Sequence, residues 1–456
     1  MSKLAVIFLL TSAAFAAEFR AGRSAVNINP PTGWPGGPAG IHDDLHAKAL
    51  VFEKDGLKTA IVVCDLVVIQ KDVVQAARLL IERENGIPPK NVMISATHVH
   101  SAFDLPIWWE WETASPVMME YRASLPAKIA AAVRQAHQDL QPVRVSAGIG
   151  HENSLSFNRR FLMKDGSARM NPGKRNPDIV RPLGPIDPDV MVAYIESLDG
   201  KPLATFVNFA MHLDTVGGKE VSADFPYTLS KLLAEAKGPG MLTIFGIGTA
   251  GNVNHIDVSS AKPQKGHGEA ARIGTVLAAE VLKTLQRMTP VEPASLRAAY
   301  EKVEFELPAI GPGDIERAEA LRSRLKSSDK PSFLQQMWMQ RILETAKRGG
   351  KPIETEVQAI AVGDQLAWVS LPSEVFVEIG LAIKRASPFP FTIVDTLASD
   401  WLRYTPNRKG YAEGAYEAIN TRGAPGSGER LADAATRLLL ELRTPYPGAF
   451  GALPAK

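Results

Sequence analysis

The stretch Asn91-Val92-Met93-Ile94-Ser95-Ala96-Thr97-His98-Val99-His100-Ser101 begins as a short β-rich run and ends in a pair of histidines. Just before it, residues 72–85 carry apolar side chains at helical spacing and stop at Gly86. Before that helix, 45–52 and 57–69 read as two strands around the turn Lys54-Asp55-Gly56. The same alternation runs on downstream. Helices are expected at 116–140, 227–236 and 268–285, and strands at 143–148, 190–198, 203–210, 242–247 and 296–307. A charged helical pair covers 314–348, broken near 327–331. A hairpin, 354–362 with 365–370, turns at Gly363-Asp364; helix 375–386, strand 391–397 and helix 429–442 follow. Interleaved strands and helices predict an α/β protein with a mostly buried sheet flanked by helices, and the hairpins make that sheet mixed. Residues 25–40 read as a Pro/Gly-rich loop. No linker divides the chain, so 17–456 is read as one domain with a helical excursion at 310–352.

Composition narrows the function classes. The 456 residues are 45% hydrophobic and 22% charged, which is globular rather than disordered. A net charge of +2 sets up no global field for nucleic acid or an anionic membrane. One cysteine, Cys64, excludes an intramolecular disulfide and a thiolate zinc cluster; in Thr59-Ala-Ile-Val-Val-Cys64 it reads as a buried strand residue. Residues 1–16 read as a secretory signal, with Lys3, the apolar run 4–10 and Ala14-Phe15-Ala16 in order. The mature chain is then expected to start near Ala17 and to be periplasmic or secreted.

Several segments carry groups with chemical capacity. On an extended backbone His98 and His100 would point to one face and approach one metal ion or one substrate atom, although two unrelated surface histidines fit the pattern too. His212, in Asn208-Phe-Ala-Met-His212-Leu-Asp214, sits where a buried strand ends, a place where side chains enter α/β clefts; alone it reads more often as a core residue. Asp224 fits a helix N-cap. The turn Gly246-Ile-Gly248-Thr-Ala-Gly251-Asn252-Val-Asn254-His255 is too loosely spaced for a dinucleotide fingerprint and reads as structural. Glu374 follows a strand and precedes a helix, where a carboxylate favours the helix dipole. Tyr404, Tyr411 and Tyr416 crowd one short span. Ile107-Trp-Trp109-Glu-Trp111 reads as a substrate-facing edge or a packed surface loop.

Taken together and in order, these segments resemble the neutral/alkaline, non-lysosomal ceramidase family. The resemblance covers its zinc-amidase domain and not its C-terminal immunoglobulin-like domain. Residues Ile41-His42-Asp43-Asp44-Leu45-His46-Ala47-Lys48-Ala49 are similar to the family's early strand, and Thr97-His98-Val99-His100-Ser101 to its THTHS motif. Phe157-Asn158-Arg159 resembles INR, Asn208 to His212 the second histidine motif, and Leu371-Pro-Ser-Glu374 the PGE segment. Asn254 stands where the family has a serine, and Ala102-Phe-Asp-Leu-Pro106 replaces its glycine-rich tail.

The resemblance implies one zinc ion per chain held by His98, His212, Glu374 and Tyr404, with His100, Arg159, Tyr416 and Asn254 around the bond to be cut. Two imidazoles, a carboxylate and a phenol suit zinc and leave room for water. The reading that follows is an exported zinc-dependent hydrolase that cleaves an amide or ester by zinc-activated water. Its substrate would be small or lipid-like, with peripheral membrane contact and no nucleic acid. Two rivals stand beside it: a true neutral ceramidase acting on N-acyl sphingosine, and a non-catalytic exported binding protein that keeps a metal. A phosphate-ester hydrolase is weaker still.

Overall fold

In the run Thr59-Ala60-Ile61-Val62-Val63-Cys64 every residue is buried, so this strand has protein on both faces. Alternate side chains go two ways. Ala60, Val62 and Cys64 pack under helices, whereas Ile61 and Val63 pack against a second sheet. The computed structural model, which describes residues 18–102 and 115–443, is therefore layered as helices, sheet, sheet, helices.

The larger sheet has nine strands. Its path runs Leu242–Ile247, Pro202–Phe209, Asp189–Ser197, Gln141–His151, Arg20–Asn27, His46–Lys54, Leu57–Cys64 and Val92–Ala96, with Thr289–Val291 paired to the fourth of these. It is mixed: the two outermost pairs on this path are parallel and the rest antiparallel. Helices Lys71–Asn85, Pro116–Gln138, Phe225–Lys237 and His267–Thr284 cover its outer face. The first ends, as expected, with Gly86 in the left-handed conformation at φ 65°, its N–H on Glu82 O. Cys64 is buried in its strand, as the sequence indicates.

The smaller sheet joins Leu296–Phe305, Ile353–Val362, Leu366–Ser370 and Phe391–Asp395, the last pair parallel. Phe52, Phe206 and Ile244 of the larger sheet meet Ile360, Trp368 and Ile393 of the smaller one in a shared apolar core. Val377–Ala386 and Ser427–Arg443 close its far side through Ile379, Ile383, Leu431 and Leu438. Among the described residues no helix is long and apolar enough to cross a membrane.

Several expectations shift in detail. The strand expected over 57–69 ends at Cys64, because the next carbonyls leave the ladder: Leu66 O accepts from the N–H groups of His98 and Val99. Residues 25–27, expected in a loop, end the strand Arg20–Asn27, whose partner is His46–Lys54. The helix expected from residue 375 starts at Val377, since Glu374–Val375 pairs with Tyr404–Thr405. The charged pair forms as Asp314–Ser323 and Phe333–Lys347, and the short strands Arg160–Met163, Ala168–Met170 and Ile179–Pro182 form a small sheet that patterning does not reveal. Residues 1–16 and the tryptophan-rich stretch 107–111 lie outside the described residues.

Candidate metal centre

The histidines and the carboxylate of the centre sit just past the C-terminal end of a strand that belongs to a parallel pair, and the phenol lies in the segment that follows a fourth such strand. His98 and His100 follow Val92–Ala96, His212 follows Pro202–Phe209, Glu374 follows Leu366–Ser370, and Tyr404 follows Phe391–Asp395. Crevices beyond strand C-termini are where open α/β sheets present functional groups. The ends of the two sheets are sewn together here. Ala96 N–H donates to Leu397 O, Ser399 N–H to Ile94 O, and Thr396 N–H to Ile247 O.

The two histidines of the first motif do converge, with ring centroids 4.7 Å apart. Strand alternation is not the cause. The strand has ended at Ala96, and His98 adopts a left-handed backbone at φ 70°. Its N–H is held by Leu66 O, and the next two residues dock on Leu66 and Leu213, with His100 N–H donating to Leu213 O at 3.0 Å. The turn thus carries His100 to the His212 loop. Left-handed non-glycine residues gather nearby in sequence at Leu397, Ser399, Arg403 and Ala415, all flanking the Tyr404 segment.

The tautomers are set by backbone carbonyls. His98 Nδ1 lies 2.7 Å from Val67 O and His212 Nδ1 lies 2.8 Å from Ala250 O. Each Nδ1 therefore carries the proton and donates, which leaves both Nε2 lone pairs pointing inward. Inside, Glu374 Oε2 is 3.2 Å from His98 Nε2 and 3.3 Å from His212 Nε2. His100 Nε2 is 3.2 Å from His98 Nε2, and the Tyr404 hydroxyl is 3.4 Å from His212 Nε2. Glu374 Oε2 is buried and has no hydrogen-bond partner among the described residues. Its other oxygen accepts the Trp401 indole N–H at 3.2 Å. Lone pairs facing lone pairs at such distances repel unless positive charge lies among them. Two imidazoles and a carboxylate, with a phenol beside them, are donors that a zinc ion would suit, and the orphaned carboxylate oxygen fits such an ion. His98, His100 and His212 also form a three-donor set on their own.

The electrostatics follow the same demand. Burial opposes charge on both His98 and Glu374, yet their mutual attraction raises the His98 pKa and holds Glu374 well below the ordinary carboxylate range. Burial, then the charge of Arg159, lowers His212. His100 is exposed among the described residues, but the surrounding protein and then His98 push its pKa down to about 3. Burial drives Tyr404 well above its usual value and Tyr416 up to about 12, so Tyr416 remains a proton donor at neutral pH.

Around this ring stand the other expected residues. Arg159 Nη1 is 3.1 Å from His212 Nε2, its guanidinium lies over the Tyr404 ring at 5.2 Å, and its Nη2 is buried without a hydrogen-bond partner among the described residues. Tyr416 meets Tyr404 edge-on at 5.2 Å and accepts from Asn420 Nδ2 at 3.0 Å. Asn254 is buried, but its amide is engaged elsewhere, donating to Asn171 Oδ1 and accepting from Ile256 N–H. Tyr411 donates to Gly423 O and braces its own loop. Asp224 does cap the helix Phe225–Lys237, its Oδ1 accepting from Phe225 N–H. The glycine-rich turn supports the site from below. Ala250 O fixes His212, and a Cβ on Gly251 would lie 2.4 Å from Glu374 O, so only glycine admits the Glu374 backbone.

Three contributors escape the motif reading. Trp401 holds Glu374. Glu417, fully buried, accepts from Arg159 Nε at 2.9 Å and Arg160 Nη1 at 2.7 Å. Asp214 pairs with His255 at 3.0 Å beside the His212 loop; burial raises its pKa, but His255 overcomes this and lowers it. The neighbouring arginines Arg159-Arg160 were a sign that a buried counter-charge was needed.

No family model matches the sequence. No curated protein matches it either. Solved structures do match. The neutral ceramidase from Pseudomonas aeruginosa superimposes with a TM-score of 0.73 at 20% identity, over 93% of this chain and 74% of that one. A ceramidase complexed with C2 gives 0.71 at 18% identity, over 93% and 75%. With its facing sheets and its ring of donors at their joined ends, the chain has the fold of the neutral ceramidases.

Proposed function

We propose that the protein is a zinc-dependent hydrolase that cleaves an amide or ester bond. The observation that carries this reading is Glu374 Oε2, a buried carboxylate oxygen without a hydrogen-bond partner among the described residues, facing the inward lone pairs of His98 and His212. His98, His212, Glu374 and Tyr404 would hold the ion. Zinc in such a cradle supplies Lewis acidity, which brings the pKa of water towards neutrality and polarises a carbonyl.

The chain's own groups divide the remaining work. Arg159 is locked by Glu417 with one N–H-bearing nitrogen unused among the described residues, which suits it to receive negative charge on a carbonyl oxygen. The protonated Tyr416 phenol is a second donor. His100 Nε2 stands 3.2 Å from His98 Nε2, beside the donors, which places it to move a proton to a leaving nitrogen or oxygen. None of these roles needs a hydroxyl nucleophile, and Asn254 offers none. Among amides, an N-acyl sphingosine is the first to test, because the structural neighbours carry the name ceramidase. We propose export as well, on the strength of residues 1–16.

The test is elemental analysis of purified mature protein together with a panel of amides and esters that includes a fluorescent short-chain ceramide. Wild type is expected to hold zinc in this site and to turn over at least one substrate; His98→Ala and Glu374→Ala are each expected to lose one zinc per chain and the turnover. Zinc content and turnover both unchanged from wild type in the two variants would sink the assignment. Tight metal without turnover on any substrate would leave the binding-protein reading. An N-terminus at Ala17, read by mass spectrometry of the exported protein, checks the signal.

A further inference from the structure

A second group of metal-binding side chains lies outside this centre, and we infer that His42, Asp43 and His267, with Glu220 at the rim, form a separate site for a divalent transition metal. One ligand atom from each of the first three falls within 4.8 Å of the others. The four residues come from three separate segments. His42 and Asp43 follow the short strand Gly40–Ile41, Glu220 lies in its parallel partner Glu220–Val221, and His267 opens the helix His267–Thr284.

The group is organised. Asp43 is buried, and its Oδ2 accepts from the Ser222 hydroxyl, so the carboxylate is fixed before any ligand arrives. Its Oδ1 is 2.7 Å from His42 Nδ1. The two imidazoles stack at 3.7 Å with their planes 11° apart, and His267 Nε2 lies 3.4 Å from Glu220 Oε2. The side chains of His42, His267 and Glu220 all reach solvent, so an ion has an entry path. The group also borders a cavity of about 580 Å³ whose lining carries Asp43, Asp44 and Asp65 against Lys48 and Lys231. Carboxylates outnumber cations there, which raises the local concentration of a divalent ion. Two imidazoles with one or two carboxylates suit zinc, nickel or copper better than magnesium or calcium.

Its effect would be positional. An ion here would tie residues 42–43, the strand Glu220–Val221 and the start of a long helix. Ser222 passes that constraint on: its hydroxyl binds Asp43 and its carbonyl accepts from Ser101 Oγ at 2.9 Å, next to His100.

The experiment is equilibrium dialysis against zinc alone, at buffered free zinc too low for a single imidazole to retain, followed by elemental analysis. Wild type is expected to hold two zinc ions per chain. Glu374→Ala should keep one, which His42→Ala and His267→Ala then remove. Because the second site is read in the Glu374→Ala background, its failure and failure of the first site give different counts. Both histidines are partly exposed, and circular dichroism of each variant checks folding. Zinc content unchanged by His42→Ala and His267→Ala in that background would overturn the site, as would a Glu374→Ala protein that holds none.

Discussion

Glu374 and Tyr404 are register partners in a two-residue parallel ladder, Glu374–Val375 beside Tyr404–Thr405. Partners in register project to the same face. One short pairing therefore delivers a carboxylate and a phenol together to His212, 3.3 Å and 3.4 Å from its Nε2. Glu374 N–H on Arg403 O and Phe376 N–H on Thr405 O hold the pairing.

The Trp401 indole should matter to metal affinity although it is not among the proposed ligands. It orients Glu374 through Oε1. Trp401→Phe keeps an aromatic ring, smaller than the indole, and removes the donor. Zinc affinity, measured by competition with a chelator, is expected to fall by roughly 10–100-fold with the fold intact. Unchanged affinity would mean that Glu374 is oriented by the ladder alone.

Gly251→Ala should act on the centre from beneath. The new methyl would meet the Glu374 carbonyl and force one backbone to move. The expected outcome is a loss of about 1–3 kcal/mol in stability together with weaker metal retention. Thermal melts and metal content of the same preparation check both.

Glu417 sits between two buried guanidiniums. Glu417→Gln removes the charge that compensates Arg159 and Arg160 and should destabilise by about 3–5 kcal/mol. Denaturant unfolding reads this, and a neutral result would show that Glu413 alone serves Arg160.

Arg159→Ala should lower kcat by about 10²–10³-fold on whichever substrate the panel identifies, the cost of losing one oxyanion donor. Asn254→Ala should be much milder, since its amide is committed to Asn171 and Ile256. Equal losses would assign Asn254 a task in the chemistry.

Asp395 gives a pH-dependent prediction. Burial between the sheets raises its pKa from 3.8 to about 7, against the opposing Ser95 hydroxyl. The native state thus binds a proton more tightly than the unfolded chain. Its contribution is complete below about pH 4 and is lost as pH rises to about 7. Asp395→Asn, which cannot ionise, should show little benefit at pH 4. Its advantage over wild type should grow with pH, by up to about 4 kcal/mol above pH 7. Melting temperatures of both proteins across that range decide it; a constant difference would refute the shift.

Much of this architecture was legible in the chain. Helix 72–85 declared itself through spacing and Gly86, and the histidine pair through its place after a β-rich run. The doubling of the sheet was not legible, because Ile61 and Val62 face different layers and yet are both apolar; a strand buried twice reads the same whatever covers it. His98 and His100 converge for a reason that alternation did not supply, a left-handed turn held by Leu66. Trp401 and Glu417 act through single hydrogen bonds between segments distant in sequence, which no local pattern encodes.

The donors of the centre come from both sheets: the histidines from one, the carboxylate and the phenol from the other. Neither half can supply all four donors alone, although the larger sheet also brings His100. An ion bound to all four would join the halves as a clasp, adding the free energy of its binding to the native state. Tight occupancy of the centre would therefore report on assembly: a chain whose two sheets have not closed on each other has only its histidines to offer.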